Sequence, residues 1–177
     1  MTLENGLIHA TTIAAVAYDG GALIAADMQA TMAPTMDRLH EPILKLEEVA
    51  PFSVVGIAGI PDVLSVARLA RMQFSAWERQ YEKPLSPDGQ KNFLKLVFDN
   101  WLRANPLFAM SSMLFVVFDE ERKCGRIVSY NLGFVCEYST GYAATGSGAH
   151  PIVETFEQNQ YARTSPYEVA LSFLGKA

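Results

Sequence analysis

Two apolar runs, Ile13-Ala14-Ala15-Val16-Ala17-Tyr18 and Ala22-Leu23-Ile24-Ala25-Ala26, are separated only by Asp19-Gly20-Gly21. The glycines supply the positive φ a tight turn needs, so the stretch predicts a β-hairpin ending at Asp27. A half-buried strand alternates apolar and polar residues, and these do not. Both faces of the hairpin must be covered, which demands a layered protein with material above and below this sheet.

The rest of the chain supplies the layers. Short strands are expected at Ile43–Glu47 and Phe52–Ala58, after a loop containing Pro34 and Pro42. From Pro61 the apolar period changes: Val63, Val66, Ala70, Phe74, Trp77 and Tyr81 recur at steps of three and four, which predicts an amphipathic helix ended by Lys83-Pro84. Ser86-Pro87-Asp88 starts a second helix carrying Phe93, Leu94, Val97, Phe98 and Trp101, closed by Asn105-Pro106. Strands resume at Met113–Asp119, Arg126–Tyr130, Phe134–Tyr138 and Tyr142–Thr145. A helix follows from Pro151 to about Tyr161, and another starts at Ser165-Pro166, with a cap and a proline in its first turn. Clustered strands alternating with helix pairs predict an α+β arrangement of stacked antiparallel sheets with helices outside.

Bulk properties exclude several classes. With 177 residues, half of them hydrophobic and 19% charged, the chain is one globular domain rather than a disordered segment. A net charge of -5 gives no electrostatic reason for nucleic-acid binding. No apolar run reaches the roughly 18 residues of a membrane span, and Met1–Ala10 lacks the basic start and apolar stretch of a signal peptide. Cys124 and Cys136 lack metal-ligand spacing and fit reduced thiols. A cytoplasmic protein without metal or cofactor is expected.

Single residues carry little. Thr11-Thr12 suits the start of a strand, Asp27 a turn, Lys45 a solvated strand position, and Gly56 and Gly59 a crowded strand end. Ser147, in Gly146-Ser147-Gly148, suits a helix cap. A phosphate site at that glycine pair is disfavoured, since the third glycine of a dinucleotide fingerprint and the lysine of a P-loop are both missing.

In combination the residues resemble the proteasome β-subunit family and the simpler bacterial ATP-dependent proteasome-like protease. The segments that carry the resemblance are Thr11-Thr12-Ile13, the run Ile24-Ala25-Ala26-Asp27-Met28-Gln29-Ala30-Thr31, Val55-Gly56-Ile57-Ala58-Gly59, Gly125-Arg126-Ile127-Val128-Ser129 and Ala144-Thr145-Gly146-Ser147-Gly148. The resemblance implies a four-layer αββα sandwich of the N-terminal nucleophile hydrolase type, and a threonine endopeptidase. It divides the chain into a propeptide, residues 1–10, and a peptidase domain, residues 11–177, whose closing strands, further catalytic aspartate and further serine find no equivalent before Ala177.

Roles follow by resemblance. Thr11 is the expected nucleophile once the Ala10–Thr11 bond is cut, and its freed α-amine, with a pKa of roughly 8, is the base. Lys45 is the fixed positive charge near the threonine hydroxyl, Asp27 its partner, the Gly56 N–H the oxyanion donor and Ser147 an aid to placing the amine. Thr31 and Ala58 offer backbone groups to an extended substrate. Ala30, Ile43, Glu47, Val54 and Ala58 line the pocket for the residue before the scissile bond, which favours an apolar side chain unless Glu47 points inward. Partners implied are a closed ring of six or seven like subunits, unfolded polypeptide substrates and an ATPase unfoldase. Besides the missing closing strands, two departures stand out. Ala10 occupies a position where self-processing members usually carry glycine, and the stretch from Thr31 to Lys45 is about two residues longer than usual, which leaves Arg38 as the other candidate cation. The alternative is a non-catalytic ring subunit of the same fold.

Overall fold

The computed structural model describes residues 11–29, 31–32, 37–38 and 42–175. The expected hairpin forms as β1 (Thr12–Tyr18) and β2 (Gly21–Ala26), joined by a two-residue turn. A small pair, β3 (Thr31–Met32) and β4 (Asp37–Arg38), follows, then β5 (Leu46–Ala50) and β6 (Ser53–Ala58). Strand β5 begins three residues later than the sequence reading placed it, so Lys45 lies just ahead of the strand. Two long helices come next, α1 (Leu64–Tyr81) after a short 3-10 turn at Pro61–Val63, and α2 (Pro87–Ala104), capped by the Ser86 hydroxyl, which accepts the Gly89 N–H at 3.2 Å. Strands β7 (Ser112–Asp119), β8 (Cys124–Asn131), β9 (Phe134–Glu137) and β10 (Tyr142–Gly146) precede α3 (Ala149–Gln158) and α4 (Tyr167–Leu174). Helix α4 starts without the expected serine cap. Pro166 is the cap residue, and the Ser165 carbonyl instead accepts the Asp19 N–H at 3.0 Å.

Apart from the β3–β4 pair, the described strands build two antiparallel sheets, β10-β1-β2 and β5-β6-β7-β8-β9. Alternation along β1 explains why its sequence is apolar throughout. Ile13, Ala15 and Ala17 pack between the sheets with Leu114, Val116 and Ile127, while Ala14 and Val16 pack under α3 and α4 with Ile152, Phe156 and Ala170. The far face of the larger sheet, through Val55, Ile57, Phe115 and Val128, meets Val66, Ala70 and Phe74 of α1 and Leu94, Phe98 and Leu102 of α2. The result is the αββα sandwich. The period of α1 outruns its core: Phe74 is buried, whereas Trp77 and Tyr81 stack on each other with ring centres 4.2 Å apart and stay 37% and 48% exposed.

A candidate active site at one end of the sandwich

Thr11 stands immediately before β1 and is 6% exposed. Its carbonyl accepts the Ser147 N–H at 2.9 Å. Gly146, paired with Thr12 at the end of the β1–β10 ladder, lies flat against that carbonyl with φ 96°. A Cβ at Gly146 would fall 1.8 Å from the Thr11 oxygen, so the contact requires glycine in both conformation and size. Ser147 thus reaches Thr11 through its backbone, and its side chain lies at an exposed position.

Asp27, one residue past β2, uses both carboxylate oxygens. One accepts the Thr12 N–H. The other accepts the Gln29 N–H at 2.9 Å and the Lys45 ammonium at 2.5 Å. The ammonium also donates to the Gln29 carbonyl at 2.5 Å, and Lys45 is only 6% exposed. The Lys45 carbonyl accepts the Ile57 N–H at 3.0 Å, which holds its backbone at the edge of the larger sheet. A buried ammonium is tolerated only with a charge partner and satisfied protons, and here one carboxylate connects it to the peptide group that follows Thr11. The Gln29 acceptor is a main-chain group, so residue identity gave no signal of it.

Strand β6 approaches Thr11 from the other sheet. Ala58, its last residue, pairs with Ser112 of β7, and the Ala58 Cβ lies 3.4 Å from where a Gly146 Cβ would stand. Gly56 fits the oxyanion role less well. Because Ile57 donates to Lys45 on the β5 side, the Gly56 N–H points the opposite way, into the ladder with β7 opposite Leu114. The missing side chain at Gly56 serves packing instead, since a Cβ there would meet Ile13, Ile24 and Leu46 at 2.9–3.0 Å. By the same alternation the Gly59 N–H falls on the Lys45 side, beyond the last ladder pair Ala58–Ser112. Gly59 has φ 125°.

Two expected pocket residues are placed elsewhere. Val54 is four residues from Ala58, roughly 13 Å along the strand, and lines a cavity of about 380 Å³ with Tyr18, Ile24, Val116 and Phe118 at the opposite end of the sandwich. Glu47 faces the helix layer, where it accepts a 3.0 Å ion pair from Arg71 of α1. Ile43 joins the loop wall by donating its N–H to the Met28 carbonyl at 3.0 Å. Thr31 opens β3 and pairs with Arg38, and Ala30 and Met1–Ala10 lie outside the described residues. Among the described residues no helix is long and apolar enough to cross a membrane, no group of three or more His, Cys, Asp or Glu is placed to hold a metal ion, and both cysteines are free.

A hydroxyl residue at the head of a strand, an ion pair tied to its following amide and an open backbone amide across the cleft form a set suited to acyl transfer. The sequence profile of the proteasome subunit family matches residues 8–174. Proteasome subunit beta of Nocardia farcinica is 37% identical over 148 residues, which is 80% of this chain and 50% of the relative. The Rhodococcus opacus subunit is 34% identical over 159 residues (83% and 52%), and that of Streptomyces griseus 30% over 146 residues (80% and 50%). The chain spans about half the length of these curated relatives. On the αββα sandwich, the matched profile and these relatives together, this chain belongs to the proteasome subunit family.

Proposed function

We propose that the chain is a threonine endopeptidase subunit of a bacterial proteasome-like ring. The observation that carries this reading is the buried Lys45–Asp27 pair, joined through the second oxygen of Asp27 to the amide beside Thr11. Hydrolysis of the Ala10–Thr11 bond, with residues 1–10 as propeptide, converts the Thr11 nitrogen from an amide into an amine. That amine takes the Thr11 hydroxyl proton as the oxygen attacks a substrate carbonyl, and Lys45 stabilises the developing alkoxide. The amide at Gly59, rather than Gly56, is directed to receive the oxyanion of the tetrahedral intermediate. The amine then returns its proton to the leaving nitrogen, and water releases the acyl group from Thr11. The backbone around Thr31 and Ala58 pairs with an extended peptide.

With Glu47 turned toward α1, the pocket favours an apolar side chain, worth roughly 1.5–3 kcal/mol if fully buried. Assembly into a closed ring of like subunits, delivery of unfolded polypeptide by an ATPase unfoldase and a cytoplasmic location belong to the same reading. One observation favours the alternative, a scaffold subunit that keeps its N-terminal segment: Ala10 adds a methyl group at the bond to be cut. Intact mass and peptide hydrolysis decide between them. Wild type should lose residues 1–10 and cleave fluorogenic peptides, and Thr11→Ala should retain those residues and be inactive. Activity in Thr11→Ala would refute the assignment, and an unprocessed, inactive wild type would make the subunit a scaffold.

A further inference from the structure

The space between the sheets is apolar along most of its length, through Ile13, Ala15, Leu114, Val116 and Ile127. At the Thr11 end it is not. The Ser112 and Thr145 hydroxyls meet there at 2.5 Å, Ser112 being 6% exposed. These side chains reach only one bond past Cβ, so their contact holds the β7 and β10 backbones closer than the usual separation of about 10 Å between packed sheets. Each partner adjoins one half of the site. Ser112 pairs with Ala58, the residue before Gly59. Thr145 precedes Gly146 and Ser147, whose backbones cradle and hydrogen-bond the Thr11 carbonyl.

We infer that the Ser112–Thr145 hydroxyl pair is a positioning device that sets the distance between the nucleophile, carried on the three-stranded sheet, and the oxyanion amide, carried on the five-stranded sheet. Neither residue touches the substrate. Their effect passes through Gly146–Ser147 on one side and Ala58–Gly59 on the other. A pinned cleft matters because acyl transfer is sensitive to displacements of about 1 Å between reacting groups. The inference rests on the Thr11 reading for its kinetic consequence, but the pin itself is observable without activity.

Ser112→Ala, Thr145→Val and the double variant test it in the full chain. Native-state hydrogen exchange at the Ser147 amide, bonded to the Thr11 carbonyl, should quicken about tenfold in each, with exchange through Leu114–Val117 unchanged. Each single variant should lower kcat about fivefold to tenfold with KM within twofold and the pH profile unmoved. The double should be no slower than the worse single, because both remove one shared contact. Thr145→Ser should restore wild-type behaviour. Unchanged exchange at Ser147 overturns the pin whether or not the protein hydrolyses peptides. Faster exchange with unchanged kcat, or kcat losses that multiply in the double variant, overturns its positioning role. Thr11→Ala keeping full activity would instead remove the nucleophile assignment and leave the exchange result standing.

Discussion

Among the described residues two cations are buried, Arg126 and Lys45, and they are held in different ways. Arg126 of β8, 4% exposed, donates to Glu137 through Nε at 2.7 Å and Nη2 at 2.9 Å, to Asp119 at 3.1 Å and to Asp88 at 2.7 Å. Asp88 and Glu137 also meet Lys91. The network staples the start of α2 to β7, β8 and β9, and its charges are spent on one another. Lys45, 6% exposed, is held by Asp27, whose other oxygen grips the backbone beside Thr11. The first arrangement joins elements of the fold. The second joins a charge to the backbone beside the proposed nucleophile. Burial and pairing are common to both; the difference is that the remaining oxygen of Asp27 binds the amide next to the proposed nucleophile, whereas that of Asp119 binds the Arg122 N–H in the turn after β7.

The sharpest way to break this contrast is to remove each cation. Lys45→Met should lower kcat by about 100-fold or more while the urea midpoint moves little, because the deleted group is itself costly to bury. Arg126→Met should keep kcat within a fewfold and destabilise by about 3 kcal/mol, since Asp119, 5% exposed, loses its guanidinium partner. Peptide hydrolysis and urea unfolding on the same samples test both, and a reversed pattern would exchange the two roles.

Asp27 sharpens the comparison further. Asp27→Ala leaves the Lys45 ammonium buried without this carboxylate and should cost about 3 kcal/mol as well as activity. Asp27→Asn keeps an acceptor for the Thr12 N–H and should recover part of the stability but little of the kcat. Equal stability of the two variants would mean that the charge alone matters.

A smaller effect is expected in acid. The hydrogen bond from Arg126, followed by that from Lys91, lowers the Asp88 pKa from 3.8 to about 2, and Glu137 is lowered by the same two partners in the same order. A carboxylate with a depressed folded-state pKa stabilises the fold above its unfolded value, here about pH 4, and loses that contribution as the pH falls toward 2. Urea midpoints at pH 7, 4 and 2.5 should show a steeper acid loss in wild type than in Asp88→Asn. Parallel curves would place the acid sensitivity elsewhere.

The smallest effect concerns Glu47. Its partner Arg71 is 63% exposed, so Glu47→Ala should cost no more than about 1 kcal/mol. The preference for fluorogenic peptides ending in Leu or Tyr over Arg should be unchanged. A loss of Arg-peptide cleavage in this variant would put the carboxylate in the substrate pocket.

The sequence by itself determined the layers. A hairpin apolar on both faces has to lie between two partners, and helices with a three-to-four apolar period have to lie outside, so Ile13–Ala26, Val66–Phe74 and Leu94–Leu102 left little freedom. Thr11, Asp27 and Lys45 stand out only in combination, by the resemblance to the proteasome β-subunit family, since each alone reads as a strand start, a turn and a solvated strand position. Only the tertiary structure decided which way the strand residues turn. Strand β5 starts at Leu46 and pairs Glu47 with Val55, whose side chain packs in the helix layer, and this pairing turns Glu47 toward Arg71. The direction of each amide in β6 depends on which neighbour takes Ile57, and that moves the open N–H from Gly56 to Gly59. Val54 shares a face with Ala58 but lies a strand-length away in the far cavity, because period two fixes a side and not a position along the cleft. The Gln29 carbonyl and the Gly146 cradle are backbone contacts between segments distant in sequence, and such contacts exist only once the two sheets have closed on each other.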